Sequence, residues 1–461
     1  MKVYDIAVIG SGPAGEKAAL EAARYGAKVV VIERHFAPGG AGTLSGTLPS
    51  KSLRETAQYL DRLHSDQLCG IKADLEHQLT IQELMYRKNF VTTTRIDSIF
   101  EQFDQNGIDY LPGRARFLGP DSLEVVGLTA NPHEVIKAKK FIIAVGTKPY
   151  HPPTVDFSAL RVLDSSSILH LRELPKSLLV FGGGVIGCEY ACIFSKLGTK
   201  VTLVEPRGQL LDFLDADISH RLEQEMVNQG IELVLGCGFD TITAVENQVE
   251  LKLKNGELYH SDYLLYANGR EGFAGDLELE NVGIELNNRK QIDVNDNYQT
   301  VVPHIYAVGD INGLPSLVSI SNEEGRMAAR HAIKGIPGKR YENDFVSAIY
   351  TIPELAMYGP TETMLKEAGV NYGVGIAEYK DLARGLILGD NVGMIKLLFE
   401  KSTLKLLSAH IIGEQSSEMI HLAMSVIHFG GTLDFFIEQV FNFPSLSTGF
   451  KVAAINGVEQ L

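Results

Sequence analysis

The sequence predicts an α/β protein with two doubly wound βαβ domains and a C-terminal α+β domain. Three observations carry this. One strand–turn–helix–strand segment occurs twice. Two later strands end in similar glycine turns. Near residue 340 the pattern changes to antiparallel strands.

The repeated segment opens the chain. "YDIAVIGSGPAGEKAALEAARYGAKVVVIE" runs from Tyr4 to Glu33, and "KSLLVFGGGVIGCEYACIFSKLGTKVTLVE" from Lys176 to Glu205. Each is an apolar strand, a G-x-G-x-x-G turn, a helix, a second apolar strand and a Glu. The offset from first glycine to Glu is 23 residues in both (Gly10 to Glu33, Gly182 to Glu205). A lone glycine motif is weak evidence, but the full register, twice, is strong. Gly10 and Gly182 permit a tight turn, Gly12 and Gly184 allow close approach of a pyrophosphate, and Gly15 and Gly187 allow close helix–strand packing. The helix start offers free N–H groups and partial positive charge to phosphates. Glu33 and Glu205 are placed to bind ribose hydroxyls. Two Rossmann-like sites in one chain imply two dinucleotides that must meet.

The remaining elements divide the labour. "KKFIIAVGTKP" is a buried strand and glycine turn leaving the first nucleotide domain, and "SDYLLYANGREG" closes the second. "HIYAVGDINGLPSLVSISNEEGRMAARHA" is a strand, then Gly309-Asp310, then a helix. Asp310, at a strand's carboxyl end, can accept hydrogen bonds from a polyol such as the ribityl chain of a flavin. Beyond residue 340, "FVSAIYTIPELAMYG", "GMIKLLFE" and "TLKLLSAHIIG" read as antiparallel strands. "EQSSEMIHLAMSVIHFGG" reads as a helix stopped by Gly430. The expected domains are 1–150, 151–275, 276–340 (a return to the first domain) and 341–461.

Composition excludes several function classes. The chain has 461 residues, 45% apolar, and a formal net charge of −15. No basic run invites nucleic acid or an anionic membrane. "YDIAVIGSG" begins at Tyr4, so no signal peptide is expected, and no apolar run reaches spanning length. A cytoplasmic protein is expected. The four cysteines, Cys69, Cys188, Cys192 and Cys237, form no CxxC pair, so buried apolar roles are expected rather than metal or disulfide.

With these motifs, "GTLPSKSLR", "GGGVIGCEYACIFSKLG", "AVGDINGLPSL", "YKDLARG" and "FNFPSLSTGFKVAAINGVEQL" complete a resemblance that covers the whole chain. The chain resembles the two-dinucleotide flavoprotein family of dihydrolipoamide dehydrogenase, glutathione reductase and mercuric reductase. Within it the nearest resemblance is to the soluble transhydrogenase branch. The resemblance implies FAD, NAD and NADP as cofactors, no metal, and a C-terminal domain that forms a homodimer. It implies Lys51 beside the flavin, paired with Glu189. Thr47 would face the ring, either hydrogen-bonding to it or filling space. Arg34, Gly40, Ala115 and Gly146 are expected at the FAD, and Gly269 at NAD(P). Glu205 suits a ribose diol, whereas Arg207 could clamp a 2′-phosphate.

The chain departs from the family where disulfides are reduced. The two redox cysteines fall at Gly42 and Thr47, and the His and Glu supplied by the partner subunit fall at Phe443 and Thr448. All four groups are gone. The bond Phe443–Pro444 is expected to stay cis. The function implied is FAD-dependent hydride transfer between nicotinamide nucleotides without a redox disulfide. Open alternatives are a diaphorase that feeds a quinone or other acceptor, and a non-catalytic nucleotide-binding protein.

Overall fold

The computed structural model describes residues 2–64, 80–128, 133–313, 315–341 and 344–461. The chain forms two compact units. The first comprises Met1–Ser52, Met85–Tyr150 and Gly269–Glu342; the second comprises Leu53–Leu84, His151–Asn268 and Asn343–Leu461.

In the first unit the strands Lys2–Ile9, Val29–Glu33, Glu134–Ile143 and Ile305–Ala307 run parallel with the start of Asp109–Gly119. Val29–Glu33, Ile305–Ala307 and the ends Ile6–Ile9 and Phe141–Ile143 are buried, mostly apolar runs, as a sheet covered on both faces requires, whereas the first part of Glu134–Ile143 carries charges. The strand Asp109–Gly119 changes partner along its length within this one sheet. Its residues to Pro112 pair parallel with Val29–Glu33, and from Gly113 it pairs antiparallel with Ser122–Gly127. One face packs Ala18, Ala19 and Ala22 of the helix Pro13–Arg24 with Phe103 and Ala328. Alanine on this helix lets it lie close to the helix Val318–Lys334. A Cβ at Gly325 would sit 2.1 Å from the Ala14 carbonyl oxygen. The other face packs Phe117, Phe141, Ile136, Ile292 and Ile305.

In the second unit a parallel sheet has the order Glu232–Leu235, Lys200–Glu205, Ser177–Phe181, Tyr263–Tyr266, Val162–Leu163. The helices Val185–Lys196 and Ala216–Asn228 follow its fingerprint strands. The C-terminal part is an antiparallel sheet in the order Ser347–Ile349, Leu355–Tyr358, Leu406–Ile412, Met394–Glu400, Tyr372–Glu378. The helices Ser416–His428 and Thr448–Val458 pack on it, with Phe436 stacked 5.2 Å from Phe450.

Lys396, in the middle of this sheet, is fully buried. Its ammonium lies 2.7 Å from Asp215, the N-cap of Ala216–Asn228, and also meets Asp217 and Glu362. Burial alone would lower the Lys396 pKa; the three carboxylates reverse this and raise it.

Several local expectations change. The strand Tyr372–Glu378 was not read from the sequence. "FVSAIYTIPELAMYG" is two strands, parted by the cis bond Ile352–Pro353. The helix that carries Lys51 begins at Thr47, ahead of Pro49. Phe443–Pro444 is cis, as expected. Cys188 and Cys192 are buried, Cys237 is partly so, and Cys69 lies outside the described residues. Among the described residues no helix is long and apolar enough to cross a membrane.

Candidate nucleotide-binding sites

In the first unit the glycine turn is fixed by packing at two positions and open at the third. Gly10 has φ +99°, and a Cβ there would lie 2.4 Å from the Ala144 carbonyl oxygen. A Cβ on Gly15 would lie 2.0 Å from the Gly10 carbonyl oxygen, which is the close approach of helix to strand. At Gly12 a Cβ would meet only the Gly40 Cα, at 3.8 Å. Gly12 is the N-cap of Pro13–Arg24, and no side chain caps that helix. Space and uncapped N–H groups thus coincide, and they fit a pyrophosphate.

Glu33 is buried and holds the turn. Its Oε2 accepts from Ser11 N at 2.9 Å and Ser11 Oγ at 2.7 Å, and its Oε1 accepts from His35 N at 3.1 Å. Arg34 lies 3.6 Å above the Phe273 ring. Ala115 is buried in the strand Asp109–Gly119, and Gly146 adopts φ +64°. Gly39 donates to Ser11, and Gly40 packs on Gly12.

The loop that should carry cysteines is a short helix, Gly40–Leu44. A Cβ on Gly42 would lie 2.8 Å from Pro13 Cγ. The first redox position is therefore packed against the fingerprint helix. Thr47 opens the next helix, and Lys51 follows four residues later, half-buried.

Asp310 lies on the turn Gly309–Asn312, where it accepts from Thr147 Oγ1 at 3.2 Å. Burial pushes its carboxyl up, against the pull of Arg270 and Thr147. Arg270 itself donates to Thr147 Oγ1 at 2.8 Å. Glu324, buried, accepts from Gly309 N at 2.6 Å and Asn312 Nδ2 at 2.8 Å, so it fixes the turn. Burial pushes its pKa up to about 7.

The second unit repeats the first design. Gly182 has φ +113°, and a Cβ on Gly187 would lie 1.8 Å from the Gly182 carbonyl oxygen. A Cβ on Gly184 would meet nothing within 4 Å, and no side chain caps the helix that follows. Glu205 Oε2 accepts from Gly183 N at 2.5 Å, and Oε1 from Arg207 Nε at 2.8 Å. Burial would raise Glu205, but Arg207 and the two backbone N–H groups hold it below the usual carboxylate range. Glu189 is buried and accepts from Tyr350 N at 3.0 Å. Gly269 clusters with the first unit, where its carbonyl accepts from Tyr150 N, rather than with Gly182–Arg207.

The first unit brings Gly10, Gly12, Gly15, Glu33 and Gly40 together around one turn, and the second does so for Gly182, Gly184, Gly187, Glu205 and Arg207. Sequence reasoning missed Ser11, Thr147, Arg270, Glu324 and Tyr350. Only Ser11, inside the first glycine motif, carried a usable signal.

Comparison with known proteins agrees with this architecture. Residues 4–333 match the pyridine nucleotide-disulphide oxidoreductase family, and 345–454 match its dimerisation domain. The chain is 39% identical to the soluble pyridine nucleotide transhydrogenase of Pectobacterium atrosepticum, over 99% of this chain and 98% of that protein. It is 40% identical to the one of Erwinia tasmaniensis, with the same coverage. Among solved structures it is similar to the HOCl-induced flavoprotein disulfide reductase RclA from Escherichia coli in its Cu(II) complex. The TM-score is 0.90 at 27% identity, over 99% of both chains. LpdA from Mycobacterium tuberculosis shares the fold, with a TM-score of 0.90 at 24% identity over 99% of both chains. A match of this extent, in both sequence and fold, establishes that the chain belongs to the pyridine nucleotide-disulphide oxidoreductase family.

Proposed function

We propose that this chain moves a hydride between nicotinamide nucleotides through FAD, as a soluble transhydrogenase. The observation that carries the reading is the pairing of two open-centred fingerprints with a loop that has no thiol at Gly42 or Thr47. The family and the 39% identity to transhydrogenases support it.

Bound FAD would supply a centre that accepts a hydride and returns it, so no amino-acid redox group is needed. The start of Pro13–Arg24 and Gly12 hold its pyrophosphate, Glu33 its adenosine ribose, and Asp310 its ribityl chain. Arg34, Gly40, Ala115 and Gly146 line the same nucleotide. Lys51 supplies positive charge beside the ring, and Thr47 lines it. Gly184 and the start of Val185–Lys196 hold the nicotinamide pyrophosphate, with Glu205 and Arg207 at the adenosine ribose and Glu189 toward the nicotinamide. Gly269 lines the same nicotinamide nucleotide. The acting form is a cytoplasmic homodimer, consistent with the dimerisation domain matched at 345–454.

One nicotinamide site serves donor and acceptor in turn, which demands ping-pong kinetics. NADPH is varied at several fixed concentrations of an oxidised nicotinamide. Parallel double-reciprocal lines are expected, and intersecting lines would refute the reading.

A further inference from the structure

The second fingerprint carries an ion-pair arrangement that ribose recognition by Glu205 does not need. Arg207 is held from two sides. Its Nε and Nη2 donate to Glu205 Oε1 and Oε2 at 2.8 and 3.3 Å, and its Nη1 donates to Asp212 Oδ1 at 2.7 Å. Glu205 is 2% exposed, whereas Arg207 and Asp212 are 47% and 49% exposed. The three formal charges are −1, +1 and −1, which leaves the cluster at −1.

A guanidinium grips an oxyanion along one edge, with two N–H groups in parallel. Glu205 takes the Nε–Nη2 edge. The Nη1–Nη2 edge is the one left for a phosphate, and Asp212 competes for it. Asp212 also sets a second negative charge near any 2′-phosphate that reaches Arg207.

We propose that Asp212 is a specificity-determining residue, which tilts this site toward the nucleotide with a free 2′-hydroxyl by occupying Arg207. Its removal leaves the Glu205–Arg207 pair in place, so ribose recognition survives while the end of the guanidinium becomes available. The proposal rests on the reading that the second fingerprint binds the nicotinamide nucleotide.

The test uses the full-length, FAD-loaded chain and two probes, 2′,5′-ADP and 5′-AMP, titrated by calorimetry at low salt. Asp212→Asn should raise the affinity ratio of 2′,5′-ADP to 5′-AMP by about fivefold, the scale of one exposed ion pair. The gain should shrink in about 1 M salt, where the screening length is roughly 3 Å. Asp212→Glu should return the ratio toward wild type. In an Arg207→Ala background, Asp212→Asn should give no more than about half the gain, the part due to plain charge repulsion. An unchanged ratio with both probes still binding would overturn the role of Asp212 alone. A full gain in the Arg207→Ala background would overturn its action through Arg207. Failure of both probes to bind the wild-type chain would overturn the proposal together with the site reading it rests on. A melting curve on each variant separates these outcomes from misfolding.

Discussion

Replacing Gly184 with Ala separates nucleotide binding from folding. Gly184 has φ −80° and ψ −175°, an extended conformation that alanine adopts freely. The added methyl would meet no protein atom within 4 Å. Alanine is a poorer N-cap than glycine, which costs up to about 1 kcal/mol. Restricting the unfolded chain offsets this by about 0.4–1 kcal/mol. Stability should therefore stay within about 1 kcal/mol of wild type. The nucleotide has no such tolerance, because the methyl fills the space where the pyrophosphate would approach the helix start. Losing one charge-assisted hydrogen bond costs about 1.5–3 kcal/mol, or roughly 10- to 150-fold in affinity. The assay is a melting curve together with an NADH titration of the FAD-loaded protein. Gly187→Ala is the contrast: its Cβ would lie 1.8 Å from the Gly182 carbonyl oxygen, so it should damage the fold itself. NADH affinity within twofold of wild type in a folded Gly184→Ala chain would refute the assignment of this cradle.

Further tests address other residues. Lys396→Met should destabilise the chain by about 3–5 kcal/mol, because buried Asp215 loses its counter-charge, and adding Asp215→Asn should recover part of that in urea or thermal melts. Glu324 has a folded pKa of about 7 against an ordinary 4.5, so the folded state binds the extra proton between these values. Its contribution to stability should be full below about pH 4.5 and fall by roughly 3 kcal/mol as pH rises through 7, and Glu324→Gln should flatten that part of the slope in melts at pH 5 and pH 8. Gly42→Cys should cost about 1–3 kcal/mol, since its Cβ would press on Pro13 Cγ at 2.8 Å. The double variant Gly42→Cys, Thr47→Cys should leave lipoamide and glutathione turnover near background, because Phe443 and Thr448 cannot act as base.

The two βαβ units were legible because glycine spacing and apolar runs are local, and the helix start and the end of the second strand are fixed by them. Glu33 and Glu205 were found from the same register. The strand Tyr372–Glu378 was hidden because its glycines, Gly373 and Gly375, interrupt the alternation. They are there for packing, since a Cβ on Gly375 would lie 2.1 Å from the Ala453 carbonyl oxygen. Pro49 marks the first turn of the helix rather than its first residue, which is Thr47. The supports of Asp310 were out of reach for another reason. Thr147, Arg270 and Glu324 converge from distant parts of the chain, and each reads alone as a surface or turn residue. Asp212 sits in an irregular stretch with no periodicity to orient it. The lysine in "GMIKLLFE" interrupts an otherwise apolar strand, and it is the most buried ammonium among the described residues.

That lysine limits how this protein could be taken apart. Lys396 comes from the C-terminal sheet, whereas Asp215 caps a helix of the second nucleotide segment. An excised nucleotide segment would lose the cation that answers Asp215, and an excised C-terminal segment would keep Lys396 with only Glu362 of its three carboxylates. Grafting either segment onto a foreign host therefore requires both ends of this rivet to be rewritten together. A module boundary drawn from sequence at residue 340 would cut through it unseen.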